Sequence, residues 1–140
     1  GEAPAERYQR ERREAAYQRR TVRSFLLNFL EEEDGSLKKV IDLEEHALET
    51  GKPITDATIQ EVCKLQPNLV ELRLANATQV GDVGLWAIAR HCPDIQGLSL
   101  AGCTRVTAVG LRALALRCPR LRTLDLSRTP VGDAALRTLA

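Results

Sequence analysis

A period of 26 residues governs the chain between Leu69 and Leu126. Leu69, Ile95 and Leu121 open three copies of one pattern. Leu72, Leu98 and Leu124 follow three residues later, then Leu74, Leu100 and Leu126 two after that. Each copy continues to a small aliphatic residue (Val80, Val106, Val131) and to apolar pairs at helical spacing (Leu85 with Ile88, Leu111 with Leu114, Leu136 with Leu139). Pro67, Pro93 and Pro119 each stand two residues ahead of a new copy and close the one before it. A unit this small cannot bury its own apolar face, so successive units must stack around a shared core. The Leu-x-Leu alternation predicts a short strand, and the tail predicts a helix. The expected architecture is an α/β solenoid, with short parallel strands on its concave face and helices on its convex face. Aromatic residues make up only 4% of the chain, so that core must be aliphatic.

The same period extends upstream. Ile54, Ile59 and Val62 align with Val80, Leu85 and Ile88, while Leu43, His46 and Leu48 align with Leu69, Leu72 and Leu74. This predicts a degenerate first repeat from about residue 43, with His46 at a partly solvated edge, and regular repeats from residues 69, 95 and 121. Thr55-Asp56, Gly81-Asp82, Thr107-Ala108 and Gly132-Asp133 occupy one position, three times with an aspartate. An Asp just ahead of an apolar helical stretch is expected to be an N-cap, its carboxylate accepting from unpaired helix amides. Gly51, Lys52 and Pro53 predict a turn before the next element.

The run Ile95-x-x-Leu98-x-Leu100-x-x-Cys103-x-x-Val106-Thr107, continuing through Gly110-Leu111 and Leu114-Ala115 to Cys118-Pro119, resembles the cysteine-containing subclass of leucine-rich repeats. The namesake cysteine is Cys103, with Ala77 and Thr129 in the other copies, and the Cys-Pro ending recurs at Cys92-Pro93. The resemblance spans residues 43–140. It implies a protein-binding role: such repeats select substrates in the F-box proteins of ubiquitin ligases, and relatives without an F-box act as adaptors or as parts of large assemblies, including ciliary ones. An F-box would be a three-helix segment that usually opens with Leu-Pro. No proline here follows a leucine, and residues 21–50 offer one strong helix face, so no F-box is apparent.

Residues 1–35 are expected to form a charged, amphipathic helical cap, and residues 36–140 the repeat domain. Residues 5–34 read as one helix, free of proline and glycine. Seven arginines lie between Arg7 and Arg23; Arg12, Arg19, Arg20 and Arg23 are taken as a face for an acidic protein surface or for nucleic acid. Val22, Phe25, Leu26, Phe29 and Leu30 then form an apolar face at i, i+3, i+4, i+7 and i+8, which must cover the first repeat or dock on a partner helix. Glu31, Glu32, Glu33 and Asp34 are expected at the helix C-terminus, with Gly35 as the stop.

Cys63, Cys92, Cys103 and Cys118 form no C-x-x-C and no metal-ligand spacing, so structural thiols in a reducing compartment are expected, cytoplasmic or nuclear rather than secreted. No signal-peptide pattern and no membrane-spanning apolar run is present. The chain opens on Gly1 and stops at Ala140 inside a repeat tail, which predicts a longer protein. A net charge of +1 argues against a polyanion binder taken as a whole.

Along the strands, the outward positions are Glu71, Arg73 and Ala75, then Gly97, Ser99 and Ala101, then Thr123, Asp125 and Ser127. Of these, Glu71, Arg73, Ser99, Thr123 and Asp125 are the candidate partner-binding residues of the concave face. Trp86 is the other candidate: its equivalents Gln60, Arg112 and Arg137 are polar, which places it on the outer helix surface as an interface anchor. No phosphate loop, nucleophile–base pair or paired-carboxylate arrangement is found, so no enzyme, cofactor, metal or small-molecule substrate is expected. The sequence points to a non-catalytic protein–protein interaction module, an adaptor or structural subunit. Its alternatives are a ubiquitin-ligase substrate receptor or adaptor, and a ribosome- or RNA-associated subunit using the arginine face.

Overall fold

Leu72, Leu98 and Leu124 stand opposite one another on neighbouring parallel strands, as a 26-residue period requires. The computed structural model describes residues 1–131, apart from the side chains of residues 17–25 and 27. In chain order these form α1 (Pro4–Leu30), β1 (Val40–Asp42), α2 (Leu43–Thr50), α3 (Asp56–Leu65), β2 (Glu71–Arg73), α4 (Asp82–His91), β3 (Gly97–Ser99), α5 (Ala108–Arg117) and β4 (Thr123–Asp125). All strands pair in parallel in the order β1-β2-β3-β4, so each unit lies beside its neighbour in sequence. Helices α3, α4 and α5 pack side by side in the same order. Between the two layers lies an aliphatic core: Leu72, Leu74 and Leu100 from the strand side, and Ile59, Val62, Leu85, Ile88, Leu111 and Leu114 from the helices. The predicted helix residues Leu136 and Leu139, and Asp133, lie outside the described residues.

The first unit departs from the expected register. Ile41, not His46, pairs with Leu72. Leu43, His46 and Leu48 instead belong to α2, an extra helix between β1 and α3. Asp42 starts it by accepting from the amides of Glu44 (3.0 Å) and Glu45 (3.3 Å). Gly51 ends it in the left-handed region at φ 69°, its amide donating to Ala47 O at 2.9 Å. Burial is reversed accordingly. Leu48 is 81% exposed, whereas His46 is only 7% exposed, its ring against Phe29 at 4.7 Å between centroids.

Helix α1 stops at Leu30, short of the expected end at residue 34, so Glu31–Asp34 follow its C-terminus in a turn. Glu31 bridges back to Leu37, and Asp34 accepts from the amide (2.9 Å) and hydroxyl (2.6 Å) of Ser36. The turn reverses the chain: Lys38 N donates to Leu30 O at 2.8 Å, and Lys39 O accepts from Val70 and Glu71 at the start of β2. Leu26 and Leu30 are buried in the common core, and α1 packs on α3. Phe29 is half-buried, with the Lys38 ammonium 4.8 Å from its ring centroid. Val22 and Phe25 lie outside the described side chains.

The aspartates of the repeat act between units rather than within one helix. The N-caps are Thr55, Gly81 and Thr107. Asp56, one residue further on, accepts from Gly81 N (2.9 Å) and Gly84 N (3.0 Å) of the next unit. Asp82 likewise accepts from Thr107 N (2.9 Å) and from the Thr107 hydroxyl. This explains a glycine that periodicity alone left unexplained. A Cβ on Gly84 would stand 2.8 Å from Asp56 Oδ1, and one on Gly110 would crowd Asp82 Oδ1 still more. Ala108 has no carboxylate to offer, and the corresponding residue of the following unit is Ala135.

The cysteines bond in the opposite sense, Cys92 and Cys118 just after α4 and α5 and Cys103 between β3 and α5. Cys103 Sγ donates to Leu74 O (3.1 Å), Cys92 Sγ to Gln66 O (3.6 Å) and Cys118 Sγ to Cys92 O (3.7 Å), each reaching the preceding unit. At the equivalent position of the first unit, Gln66 uses its longer amide to reach Leu37 O (3.1 Å) and Lys38 O (3.2 Å). All four thiols are free and buried. Burial pushes the Cys103 thiol up and the Cys118 thiol up to about 11, and a hydrogen bond to Cys92, with burial, raises Cys63. Thiols raised in this way are poor nucleophiles; the hydrogen bond with Cys63 shifts Cys92 the other way, down.

Two predictions follow from this packing. Gly84→Ala should destabilise the fold by about 1–3 kcal/mol through crowding, although alanine is the better helix former. With Asp56→Ala already present, most of that cost should vanish; additive losses in a denaturant-unfolding double-mutant cycle would refute the carboxylate's role. Separately, burial lowers the His46 pKa below its usual value, with Lys52 acting in the same direction and Glu49 against it. The unfolded chain then binds a proton that the native state refuses, so His46 favours folding above about pH 6.5 and loses that contribution as pH falls toward its depressed native value. Thermal unfolding between about pH 7 and about pH 5 should therefore slope less steeply in His46→Phe than in the parent.

Candidate partner-binding surfaces

The sheet places the strand-face residues in two cross-strand rows. Glu71, Gly97 and Thr123 form one, Arg73, Ser99 and Asp125 the other. Gly97 is buried because its neighbours lean over it: a Cβ there would lie 3.0 Å from Thr123 Oγ1 and 3.1 Å from Glu71 Cγ. The charges are engaged locally. Arg73 Nε donates to Glu71 Oε1 at 3.1 Å along the same strand. Asp125 accepts from the hydroxyl (2.6 Å) and amide (2.9 Å) of Ser127, and these bonds hold its carboxyl below the usual range. The face is polar and carries no large apolar anchor among the named residues.

The outer surface of α4 and α5 has a different character. Trp86 is 47% exposed and Leu116 78%, with Val83 and Val109 exposed beside them. Trp86, Ala89 and Arg90 of α4 and Ala113, Leu116 and Arg117 of α5 line a groove of about 590 Å³. Helical periodicity produces this arrangement. Positions 85, 88, 111 and 114 point into the core, which turns 83, 86, 90, 109, 112 and 116 outward. Trp86 therefore occupies the outer helix surface that its polar equivalents implied.

Helix α1 supplies a third surface. Residues 4–15 are all exposed, so this half of the helix projects from the body. Arg10 is held by Glu2 (3.0 Å) and Glu14 (3.2 Å), and Arg12 lies 5.7 Å from the Tyr8 ring centroid. Arg19, Arg20 and Arg23 lie outside the described side chains.

Sequence periodicity missed a fourth feature, a slot of about 250 Å³ between α2 and the turn after β2. Ala47, Leu48, Pro53, Ile54, Leu74 and Asn76 are among its walls. It exists only because α2 interrupts the first unit. The Asp42-to-Gly51 capping pair was the one sequence signal that could have revealed it. Among the described residues, no three His, Cys, Asp or Glu side chains converge to hold a metal ion, and no helix is long and apolar enough to cross a membrane.

Residues 117–140 match the family model described as Leucine Rich repeat. No curated protein matches the chain. The matched segment contains the last copy of the pattern, Leu121, Leu124 and Leu126, and supports a leucine-rich-repeat family, whose members are typically protein-binding. The mixed α/β structure with one parallel sheet is consistent with that fold.

With about half of its surface in solvent, Trp86 lies outside the hydrophobic core. Trp86→Arg, which installs the side chain that the next unit carries at that place, should change folding free energy by no more than about 0.5 kcal/mol in chemical denaturation. A loss of several kcal/mol would identify the indole as a packing residue.

Proposed function

We propose that the chain is a non-catalytic protein–protein interaction module, an adaptor or structural subunit of a larger assembly. Its units extend as a leucine-rich-repeat solenoid, with strands on the concave face and residues 1–35 capping the first unit. The observation that carries this reading is the exposed apolar surface of α4 and α5 around Trp86, laid on stacked helices whose positions the core fixes. Large apolar groups left in water on a rigid frame are characteristic of binding surfaces, and tryptophan is the commonest anchor. The strand face, where Glu71, Arg73, Ser99, Thr123 and Asp125 stand, is a secondary contact surface. The helical arm with Arg12, Arg19, Arg20 and Arg23 is a third. No feature of the chain specifically favours a ubiquitin-ligase role.

Exposed arginines on the projecting arm favour a second reading, contact with a nucleic-acid-bearing assembly. Arg10 is already neutralised by Glu2 and Glu14, which weakens it. Affinity capture from source lysate with the parent, with Trp86→Arg and with a truncation of residues 1–15 separates these readings. The truncation stops well short of Leu26 and Leu30, which belong to the core. The module reading expects Trp86→Arg to lose the principal partner and the binding to depend weakly on salt. Steep salt dependence and loss on truncation alone would instead indicate phosphate contacts.

A further inference from the structure

We infer that the groove between α4 and α5 receives an acidic amphipathic helix, whose apolar residues lie on Trp86 and Leu116 and whose carboxylates face Arg90, Arg112 and Arg117. This rests on the interaction-module reading and names the chemistry of its partner.

The repeat supplies its own comparison. Helix α3 is built on the same pattern, and its outer positions carry Ala57, Gln60 and Lys64, with Lys64 paired to Glu61 at 4.0 Å. That is a solvated face with balanced charge. One unit on, the same three positions are Val83, Trp86 and Arg90; two units on, they are Val109, Arg112 and Leu116. Glu61 becomes Ala87 and then Ala113. These changes add apolar area at 83, 86, 109 and 116, remove negative charge at 87 and 113, and add a cation at 112, while Arg90 keeps the charge of Lys64. Among the exposed residues of α4 and α5 there is no acid. Asp82, the one carboxylate on these helices, is half-buried and bound to Thr107. The ion pair of Arg120 with Asp94 lies beyond the helix ends and uses neither Arg90, Arg112 nor Arg117.

The helix dipole accounts for arginine at 90 and 117, in the last turns, but not for Arg112 in mid-helix. An apolar floor with an uncompensated cationic rim is complementary to a ligand with an apolar stripe and acidic flanks. Two adjacent helices offer a groove that a third helix fills with residues spaced i, i+3, i+4 and i+7.

The test uses the whole chain, whose single tryptophan reports directly on the groove. A random peptide library displayed on phage is selected against the protein, and the enriched peptides are synthesised. The inference expects acidic sequences with apolar residues at helical spacing, and these should shift Trp86 emission on binding. Arg112→Glu with Arg117→Glu should weaken them by about tenfold or more, and exchanging the peptide's glutamates for lysines should restore affinity for that variant. Neutral or basic consensus sequences, unchanged emission, or indifference to charge reversal would overturn it. So would concentration-dependent self-association in sedimentation that Leu48→Glu abolishes, since the groove would then hold a second copy of this chain and not a separate partner. If Trp86→Arg loses the cellular partner while the selected peptides are basic, the module reading survives and the acidic helix does not.

Discussion

Stacked units leave polar backbone groups at every seam, and each must find a partner in the neighbouring layer. A buried amide or carbonyl without a partner costs about 1–3 kcal/mol, and a chain of this kind repeats the problem once per unit. Here the solution runs in two opposite directions along the stack. Carboxylates at 56 and 82 reach forward to the amides of the following unit. Thiols at 92, 103 and 118 reach back to the carbonyls of the preceding one. Among the described residues no buried side-chain nitrogen or oxygen is left unpaired. The aliphatic ladder provides the driving force for stacking, while these bonds fix how far each unit slides and turns on the last. The same bonds dictate residue choice elsewhere: the carboxylate of Asp56 reserves position 84 for glycine, and Gly97 is held small by Glu71 and Thr123 on either side.

How much of this was legible in the sequence varied with the range of the interaction. Pairing of Leu72, Leu98 and Leu124 followed from period alone, because a constant interval forces equivalent residues into one row. The outward position of Trp86 followed by the same logic, from its polar equivalents. What periodicity could not supply was direction. An aspartate in the first turn looks the same whether it caps its own helix or serves the next unit. Only the glycine one turn further on, at 84 and 110 but not at 135, carried the distinction. The first unit was misaligned for a different reason. Counting back by 26 assumes no insertion, and α2 is one, marked locally by its Asp42 cap and Gly51 stop. His46 and Leu48 then exchange the environments that the period assigned to them.

That irregularity has a physical logic. An end unit has no predecessor, so the groups that inner units hand backward need another destination. Gln66 stands where the later units have cysteine, and the added length of its amide spans the distance to Leu37 O and Lys38 O. The apolar end of the core is covered by Leu26 and Leu30 of α1, with the Phe29 and His46 rings in tilted contact at its margin. A histidine in that place makes the cover sensitive to acid, because its proton must be excluded for the ring to stay buried. The end of the array is thus held by side chains chosen for reach and shape, while the interior is held by repetition.

Repetition also gives the surface its meaning. When three helices share one scaffold, a residue that differs among them owes that difference to something other than the fold. Ala57, Val83 and Val109 occupy equivalent places, as do Gln60, Trp86 and Arg112, and the core beneath each is filled by the same kinds of residue. The fold is satisfied by the α3 version, whose outer face is small and charge-balanced. The apolar and cationic version on α4 and α5 leaves about half of an indole and most of an isobutyl group in water. Leaving such groups exposed is offset only if something else covers them, and because the helices below are fixed by the seams, whatever covers them meets a surface already in its binding shape.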